Sequence, residues 1–164
     1  MQDISSIVKV KDEAVKNDGV FAPWDEDETC LFKIAYIGKN KISAARKAST
    51  SQKLDRKTHR FVDNVDDDKF DKELMLRSIL GWSGFKFKHL AEVLDPSRVD
   101  VEVTENQLEM DIPFTDEWLE VIATYYNLSF SRFISGISFE IDTYQQMKEE
   151  ELRKNSKTSQ DGLT

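Results

Sequence analysis

Hydrophobic residues recur at three- and four-residue spacing through the C-terminal third of the chain, which is typical of amphipathic helices. Thr115 is a good N-cap for the first of them, because Asp116 and Glu117 fill the first turn, where the helix dipole favours acids. The apolar positions of this helix are Trp118, Leu119, Ile122, Tyr125 and Tyr126.

A second, longer helix follows a tight break in the pattern. Asn127 ends the first helix and Ser129 caps the second. Residues after Met147 are charged, and residues 155–164 have nothing to bury, so they are predicted to form a disordered tail. The apolar stripe of this helix runs through Phe130, Phe133, Ile134, Ile137, Ile141 and Tyr144. The spacing predicts a core that includes Trp118, Ile122, Phe133, Ile137 and Ile141.

Alternation of apolar and polar residues in the first fifth of the chain predicts a β-hairpin. Residues 20–24 are short, apolar and contain Pro23, which suits an edge strand. Residues 29–37 form the second strand, with Phe32, Ile34 and Tyr36 on one face. The acidic residues 25–28 between them are an exposed turn rather than a calcium loop, because the ligand spacing of an EF-hand is missing.

The middle of the chain favours helices separated by glycine and acidic turns. Residues 42–57 predict a polar, Ala-rich helix, and residues 67–80 predict another that Gly81 stops. Residues 81–87 form an aromatic turn, which either anchors to the core or presents a patch to a partner. Residues 88–111 stay ambiguous, with one helical turn over 90–94 and a short hairpin over 100–111 as the interpretations.

These elements predict an α+β fold that is mostly α-helical. We expect one domain over residues 1–154, with a β-hairpin region at 1–38, a mainly helical part at 39–154 and the disordered tail at 155–164. The chain has 164 residues, a length that suits a single domain. No run of about 18 apolar residues predicts a membrane span, and no signal peptide is visible.

Charge is unevenly distributed along the chain. Residues 39–60 carry eight basic side chains against Asp55 alone, whereas the whole chain has a net charge of −8. This basic segment either binds nucleic acid or forms a solvated surface that attracts acidic protein. Nucleic acid is the less favoured partner, because aromatic residues such as Phe61 only flank the segment and the protein as a whole is acidic.

The residues that carry chemistry in enzymes form no recognisable motif here. The single Cys30 excludes an intramolecular disulfide and is interpreted as a buried, inert thiol. His59 and His89 lie thirty residues apart, with no nucleophile motif beside either. We therefore expect no catalytic site, no metal site and no cofactor.

Four short motifs together resemble the tail assembly chaperone family of long-tailed bacteriophages. They are the strand pair with Gly19, Trp24 and Phe32-Lys33-Ile34, the stretch Ile79 to Gly84 around Trp82, the Ile-Pro-Phe-Thr segment at 112–115, and the terminal helix that fades into Glu-Glu-Leu-Arg-Lys-Asn-Ser. The resemblance spans nearly the whole chain, although the segment from Lys86 to Met110 is longer than the link usual in that family.

The resemblance implies a non-enzymatic factor that binds the phage tape measure protein, keeps it soluble and helps to recruit tail tube protein. Such a factor acts in the host cell cytoplasm and is not expected in the mature virion. Self-association is a further expectation, and neither a membrane nor nucleic acid is an expected partner. The aromatic turn and the terminal helix are predicted to bind the client, through Trp82, Phe85, Phe133, Ile137 and Tyr144. The alternative is a small phage or bacterial nucleic-acid-associated or regulatory protein that acts through residues 39–60.

Overall fold

A computed structural model describes the backbone of residues 18–161 and the side chains of residues 18–156. The strands are β1 (Val20–Pro23), β2 (Leu31–Ile34), β3 (Thr50–Asp55), β4 (Arg60–Val65) and β5 (Ile79–Ser83). The helices are α1 (Lys39–Ala48), α2 (Asp67–Ser78), α3 (Leu90–Val93), α4 (Asp116–Tyr125), α5 (Leu128–Ser138) and α6 (Ile141–Asp161). The α+β class and the long C-terminal helix are thus confirmed. The tail predicted for 155–164 lies mainly outside the described side chains.

The predicted N-terminal hairpin is present and gains a third strand from the middle of the chain. β1 and β2 pair antiparallel, and β2 also pairs antiparallel with β5, so the strand order is β1-β2-β5. Phe32 and Ile34, which the alternation placed on one face, are both buried in the core. The prediction that Gly81 stops a helix is wrong, because Gly81 lies within β5 opposite Lys33.

The turn that follows β5 requires a glycine. Gly84 has a φ of +69°, and a Cβ on this residue would lie 2.0 Å from the carbonyl oxygen of Thr29. Any side chain here would push β5 away from the acidic turn that precedes β2. Asp25 stabilises that turn from within, because its carboxylate accepts hydrogen bonds from the backbone N–H groups of Thr29 and Cys30 at 2.9 Å each.

The prediction of a helix over residues 42–57 is wrong for the second half of that segment. α1 ends at Ala48, and the chain then forms an antiparallel hairpin from β3 and β4. Ser49 ends the helix, since its hydroxyl donates back to the carbonyl of Ala45. Asp55 shapes the hairpin turn by accepting from the N–H of Lys57 and the hydroxyl of Thr58. His59 completes the turn with a φ of 57°.

The C-terminal third forms three helices rather than two. Thr115 caps α4, as predicted, and accepts a hydrogen bond from the N–H of Trp118. Asn127, rather than Ser129, is the N-cap of α5, because its side chain accepts from the N–H of Phe130. The predicted long helix breaks near Phe139, so that α5 and α6 pack against different parts of the molecule.

The ambiguous segment contains the predicted helical turn but no hairpin. α3 covers Leu90–Val93, after a 3₁₀ turn at Phe87–His89. Residues 100–111 form an extended stretch and a turn. A β-bridge joins Asp111 to Lys86, and the N–H groups of Phe87 and Lys88 donate to the carbonyls of Met110 and Leu108.

Aromatic side chains fill the core between the sheet and α5. Of the five predicted core residues, Ile122 and Ile137 are buried, whereas Trp118, Phe133 and Ile141 are half-buried against the core. Phe32 lies at the centre of the cluster, with its ring contacting those of Trp82, Phe85, Phe130 and Phe133.

Candidate partner-binding surfaces

Trp82 and Phe85 anchor the turn after β5 to the core. The indole N–H of Trp82 donates to the carbonyl of Ile112 at 2.8 Å, and its ring lies edge-on to Phe114 at 4.7 Å. Phe85 is 1% exposed and packs against Phe32. Of the two interpretations left open by the sequence, the structure shows the anchor. Trp82 keeps a half-exposed edge, but Phe85 offers no surface to a partner.

The other three residues predicted to bind the client also belong to the core. Ile137 and Tyr144 are buried, and Phe133 is half-buried against Trp24 and Phe32. The hydroxyl of Tyr144 accepts a hydrogen bond from the N–H of Gly19 at 3.1 Å. Burial raises the pKa of Tyr144. The predicted client surface is therefore wrong for Phe85, Ile137 and Tyr144, because an apolar stripe that looked surplus to the core is needed to cover the sheet.

An open apolar groove lies elsewhere, between α3, the extended stretch after it and α4. We call it the α3–α4 groove. Its volume is about 320 Å³. Trp118 and Phe87 lie together on its wall, with their ring centroids 5.7 Å apart and nearly perpendicular. The remaining apolar lining comes from Leu90, Leu94, Val99, Val101, Val103, Val121 and Tyr125.

The rim of the α3–α4 groove is acidic. Valines and acids alternate from Val99 to Val103, so that Asp100 and Glu102 are exposed while the valines line the groove. The sequence did contain this signal, since the alternation predicted a strand. The sequence did not reveal the groove, because its other walls are α3 and α4. These helices are separated along the chain by a long loop, and only the tertiary structure brings them together.

A second surface is the projecting β3–β4 hairpin. Its residues are exposed, apart from the half-buried Thr50 and Asp55, and the side chain of Phe61 is 69% exposed opposite Leu54. Lys53, Arg56, Lys57 and Arg60 cluster at its tip and form no ion pair with any described residue. The hairpin thus brings Phe61 beside the basic residues, an arrangement that a helix over 42–57 would not have given.

A polar cleft lies between α2 and α4 and has a volume of about 510 Å³. Its charges are of both signs and partly neutralised, since Lys72 pairs with Glu120 at 2.8 Å. Arg98 donates to the carbonyl of Thr124 and stacks over Tyr125. Partial burial, together with Asp67 and Asp68, raises the pKa of Asp71. The described residues that line this cleft include no serine, cysteine or histidine.

Cys30, the residue before β2, is fully buried in the core, and desolvation raises its pKa to about 12, so that its thiol is protonated at neutral pH. Across residues 18–161 no group of three or more potential metal-ligating side chains is assembled. None of the helices in the same region is both long enough and apolar enough to cross a membrane. Comparisons with protein-family models, curated proteins and solved structures return no match to this chain.

Proposed function

We propose that this protein is a tail assembly chaperone of a long-tailed bacteriophage. It binds the tape measure protein in the host cytoplasm, keeps it soluble and helps to recruit tail tube protein, without a cofactor and without remaining in the virion. The observation that carries the proposal is the contact between two of the resembling motifs. Trp82 of the tryptophan motif donates to Ile112 and packs on Phe114 of the Ile-Pro-Phe-Thr segment, thirty residues along the chain.

The α3–α4 groove gives this proposal a binding site. Helical clients commonly lay apolar side chains at i, i+3 and i+4 into a groove of this kind. Trp118 and Tyr125 offer the aromatic surface in which binding energy usually concentrates, and both are only half-buried in the free protein. Clients without acidic residues near these anchors should bind best, because Asp100 and Glu102 rim the groove.

Co-expression with the tape measure protein of the same genome tests the proposal. We expect the wild type to keep that protein soluble and to co-purify with it. Val101→Glu places a charge in the groove, next to existing acids, and should weaken the affinity for the partner at least about tenfold, which corresponds to about 1.4 kcal/mol.

The matched control is Val62→Glu, the same change on the exposed hairpin, where Val62 is 45% exposed. This variant should retain the partner in full, and thermal unfolding should show that both variants are folded. Equal retention by the two variants would contradict the groove as the binding site. A wild type that neither binds nor solubilises the tape measure protein would contradict the function.

Nucleic-acid binding remains a second candidate because of the hairpin tip. A two-stranded ribbon fits the major groove of DNA, and an exposed aromatic ring such as Phe61 can stack on bases. The four unpaired cations would displace counterions from the DNA on binding. The logarithm of the binding constant should therefore fall with the logarithm of the salt concentration, at a slope of about −3 to −4. An affinity for the tape measure protein that rests on apolar contacts should hardly change over the same salt range.

A further inference from the structure

The β3–β4 hairpin is a ribbon that no other element of the described chain covers. Within the described residues its two strands form a sheet of their own, and both faces are exposed apart from the half-buried Thr50 and Asp55. Two-stranded hairpins on their own are marginally stable in water, because they bury little apolar surface. An exposed ribbon of this kind is therefore stabilised by any surface that covers it.

The tip of the hairpin presents an apolar pair surrounded by cations. Leu54 and Phe61 lie directly opposite each other, so their side chains share one face, and both are more than half exposed. Lys53 and Arg60 lie on the other face, because successive side chains of a strand alternate between faces, and residues 56–57 add two cations in the turn. None of these cations forms an ion pair with a described residue.

The α3–α4 groove has the complementary features. Its lining is apolar and includes Trp118, while Asp100 and Glu102 on its rim form no ion pair within the described part of the chain. The backbone N–H and C=O groups of residues 100–103 make no hydrogen bond to any other described residue. Open backbone of this kind accepts an added strand. The groove thus suits an occupant with a free strand edge, apolar side chains and positive charge.

We propose that the tip of the β3–β4 hairpin of one molecule inserts into the α3–α4 groove of a second copy. Leu54 and Phe61 enter the groove, the cations of the tip lie beside Asp100 and Glu102, and the outer edge of a hairpin strand runs along residues 100–103. The ribbon extends about 20 Å along its strands, which is long enough to present its tip to a neighbouring molecule. Apolar burial supplies the affinity, and the opposite charges orient the two partners.

The contact joins two different surfaces of the same chain. It leaves a free hairpin on one molecule and a free groove on the other, so association continues to larger assemblies or closes into a ring. A contact between two hairpins would instead bring the cations of one tip against those of the other, and like charges repel. The charge distribution therefore favours the contact between hairpin and groove.

The inference goes beyond the proposed function and does not depend on it, because both surfaces belong to this chain and the test needs no client. It has a consequence for that function all the same. A client that uses the α3–α4 groove competes with the hairpin of a second copy, so the free protein covers its apolar groove by self-association until a client displaces the hairpin.

Analytical ultracentrifugation of the full chain tests the contact. We expect the mass of the wild type to rise above that of a dimer as its concentration is raised to about 1 mM, the range that reveals weak contacts. Leu54→Asp should weaken this association at least about tenfold, because it brings an acid to an acidic groove.

The matched control is Leu128→Asp, the same change at an exposed leucine of α5 that belongs to neither surface, and it should associate like the wild type. A wild type that stays monomeric overturns the proposal. An association that Leu54→Asp weakens no more than Leu128→Asp does overturns it as well.

Mixing two variants shows whether unlike surfaces meet. Val101→Glu damages the groove and keeps the hairpin, whereas Leu54→Asp damages the hairpin and keeps the groove. Each variant alone should stay monomeric, and an equimolar mixture should form a dimer and nothing larger, because one intact hairpin then meets one intact groove. Self-association of Val101→Glu at wild-type strength, or a mixture that remains monomeric, overturns the proposal.

Charge reversal gives a second readout at exposed residues, where substitution leaves the fold intact. Arg56→Glu with Lys57→Glu should weaken self-association about tenfold, and Asp100→Lys with Glu102→Lys should do the same. All four changes in one chain should restore it, because the charges of tip and rim are again opposite. A combined variant that associates as weakly as either pair alone overturns the contact.

Discussion

Phe32 is the residue on which most of the aromatic core converges. It is fully buried in β2, and its ring lies between 5.1 and 6.3 Å from those of Trp82, Phe85, Phe130 and Phe133. These partners come from the stretch of β5 with the turn after it and from α5, so one side chain joins β2 to two other parts of the sequence. The alternation of residues 29–37 placed Phe32 on the same strand face as Ile34 and Tyr36. The alternation could not identify the aromatic residues that contact Phe32, because a sequence does not show which distant aromatic residues are close in space.

Phe32→Ala should lower the free energy of unfolding by about 3–5 kcal/mol, because it removes a fully buried ring and leaves a cavity among four others. The matched control is Phe61→Ala, which removes the same ring from a site that is 69% exposed and should change stability by less than about 0.5 kcal/mol. Chemical denaturation of both variants measures the difference. Similar losses in the two variants would mean that the hairpin packs against the body.

The Cys30 thiol should be unreactive in the native protein. Burial raises its pKa to about 12, so at pH 8 only about one thiol in 10⁴ is ionised, and the thiolate is the nucleophile. We expect a thiol reagent to label the native chain very slowly and the denatured chain at the rate of a free cysteine. Rapid stoichiometric labelling under native conditions would contradict the burial of the thiol.

At the scale of elements, the sequence predicted what depends on local signals and missed what depends on distant partners. The N-cap Thr115, the acidic turn at 25–28 and the hairpin of β1 and β2 rest on neighbouring residues and are present. β5 was missed because its partner β2 lies more than forty residues earlier, and Ile79 and Leu80 continue the apolar pattern of α2. β3 and β4 were missed because their exposed faces carry no simple alternation.

The β3–β4 hairpin should be removable without unfolding the protein. The N–H of Asp66 donates to the carbonyl of Ser49 at 3.0 Å, so the end of α1 and the start of α2 already meet in the geometry of a tight turn. Replacing residues 50–65 by Gly-Gly keeps that hydrogen bond. We expect the midpoint of thermal unfolding to move by less than about 4 °C. Loss of a cooperative transition would show that the body needs the hairpin.

At the scale of the whole molecule, the candidate surfaces differ in what the sequence could reveal. The basic segment 39–60 was visible as charge, but its placement on a projecting ribbon required the fold. The α3–α4 groove was not visible at all, because its lining comes from three separate stretches brought together by tertiary packing. The five residues first chosen for client binding are instead mostly buried, since an amphipathic stripe alone does not distinguish a core face from an interface.

The separation of charge over the molecule provides the last prediction, which concerns residues 39–60. The hairpin extends about 20 Å along its strands, more than twice the Debye length of about 8 Å at physiological salt, so the acidic body barely affects the field at the tip. Net acidity alone therefore does not exclude binding to DNA. The proposed chaperone function instead assigns these cations to contacts with acidic protein or solvent. It predicts that the wild type has no sub-micromolar affinity for a 20-base-pair duplex at physiological salt.

The variant that tests this role replaces Arg46, Lys47, Arg56 and Lys57 by Gln. Its free energy of unfolding should stay within about 1 kcal/mol of the wild type, because exposed charges contribute little to stability. It should also keep the tape measure protein soluble, whereas Val101→Glu should not. Sub-micromolar binding of DNA by the wild type, with a steep dependence on salt that this variant loses, would favour the nucleic-acid function. The basic ribbon, rather than the apolar groove, would then be the surface through which the protein acts.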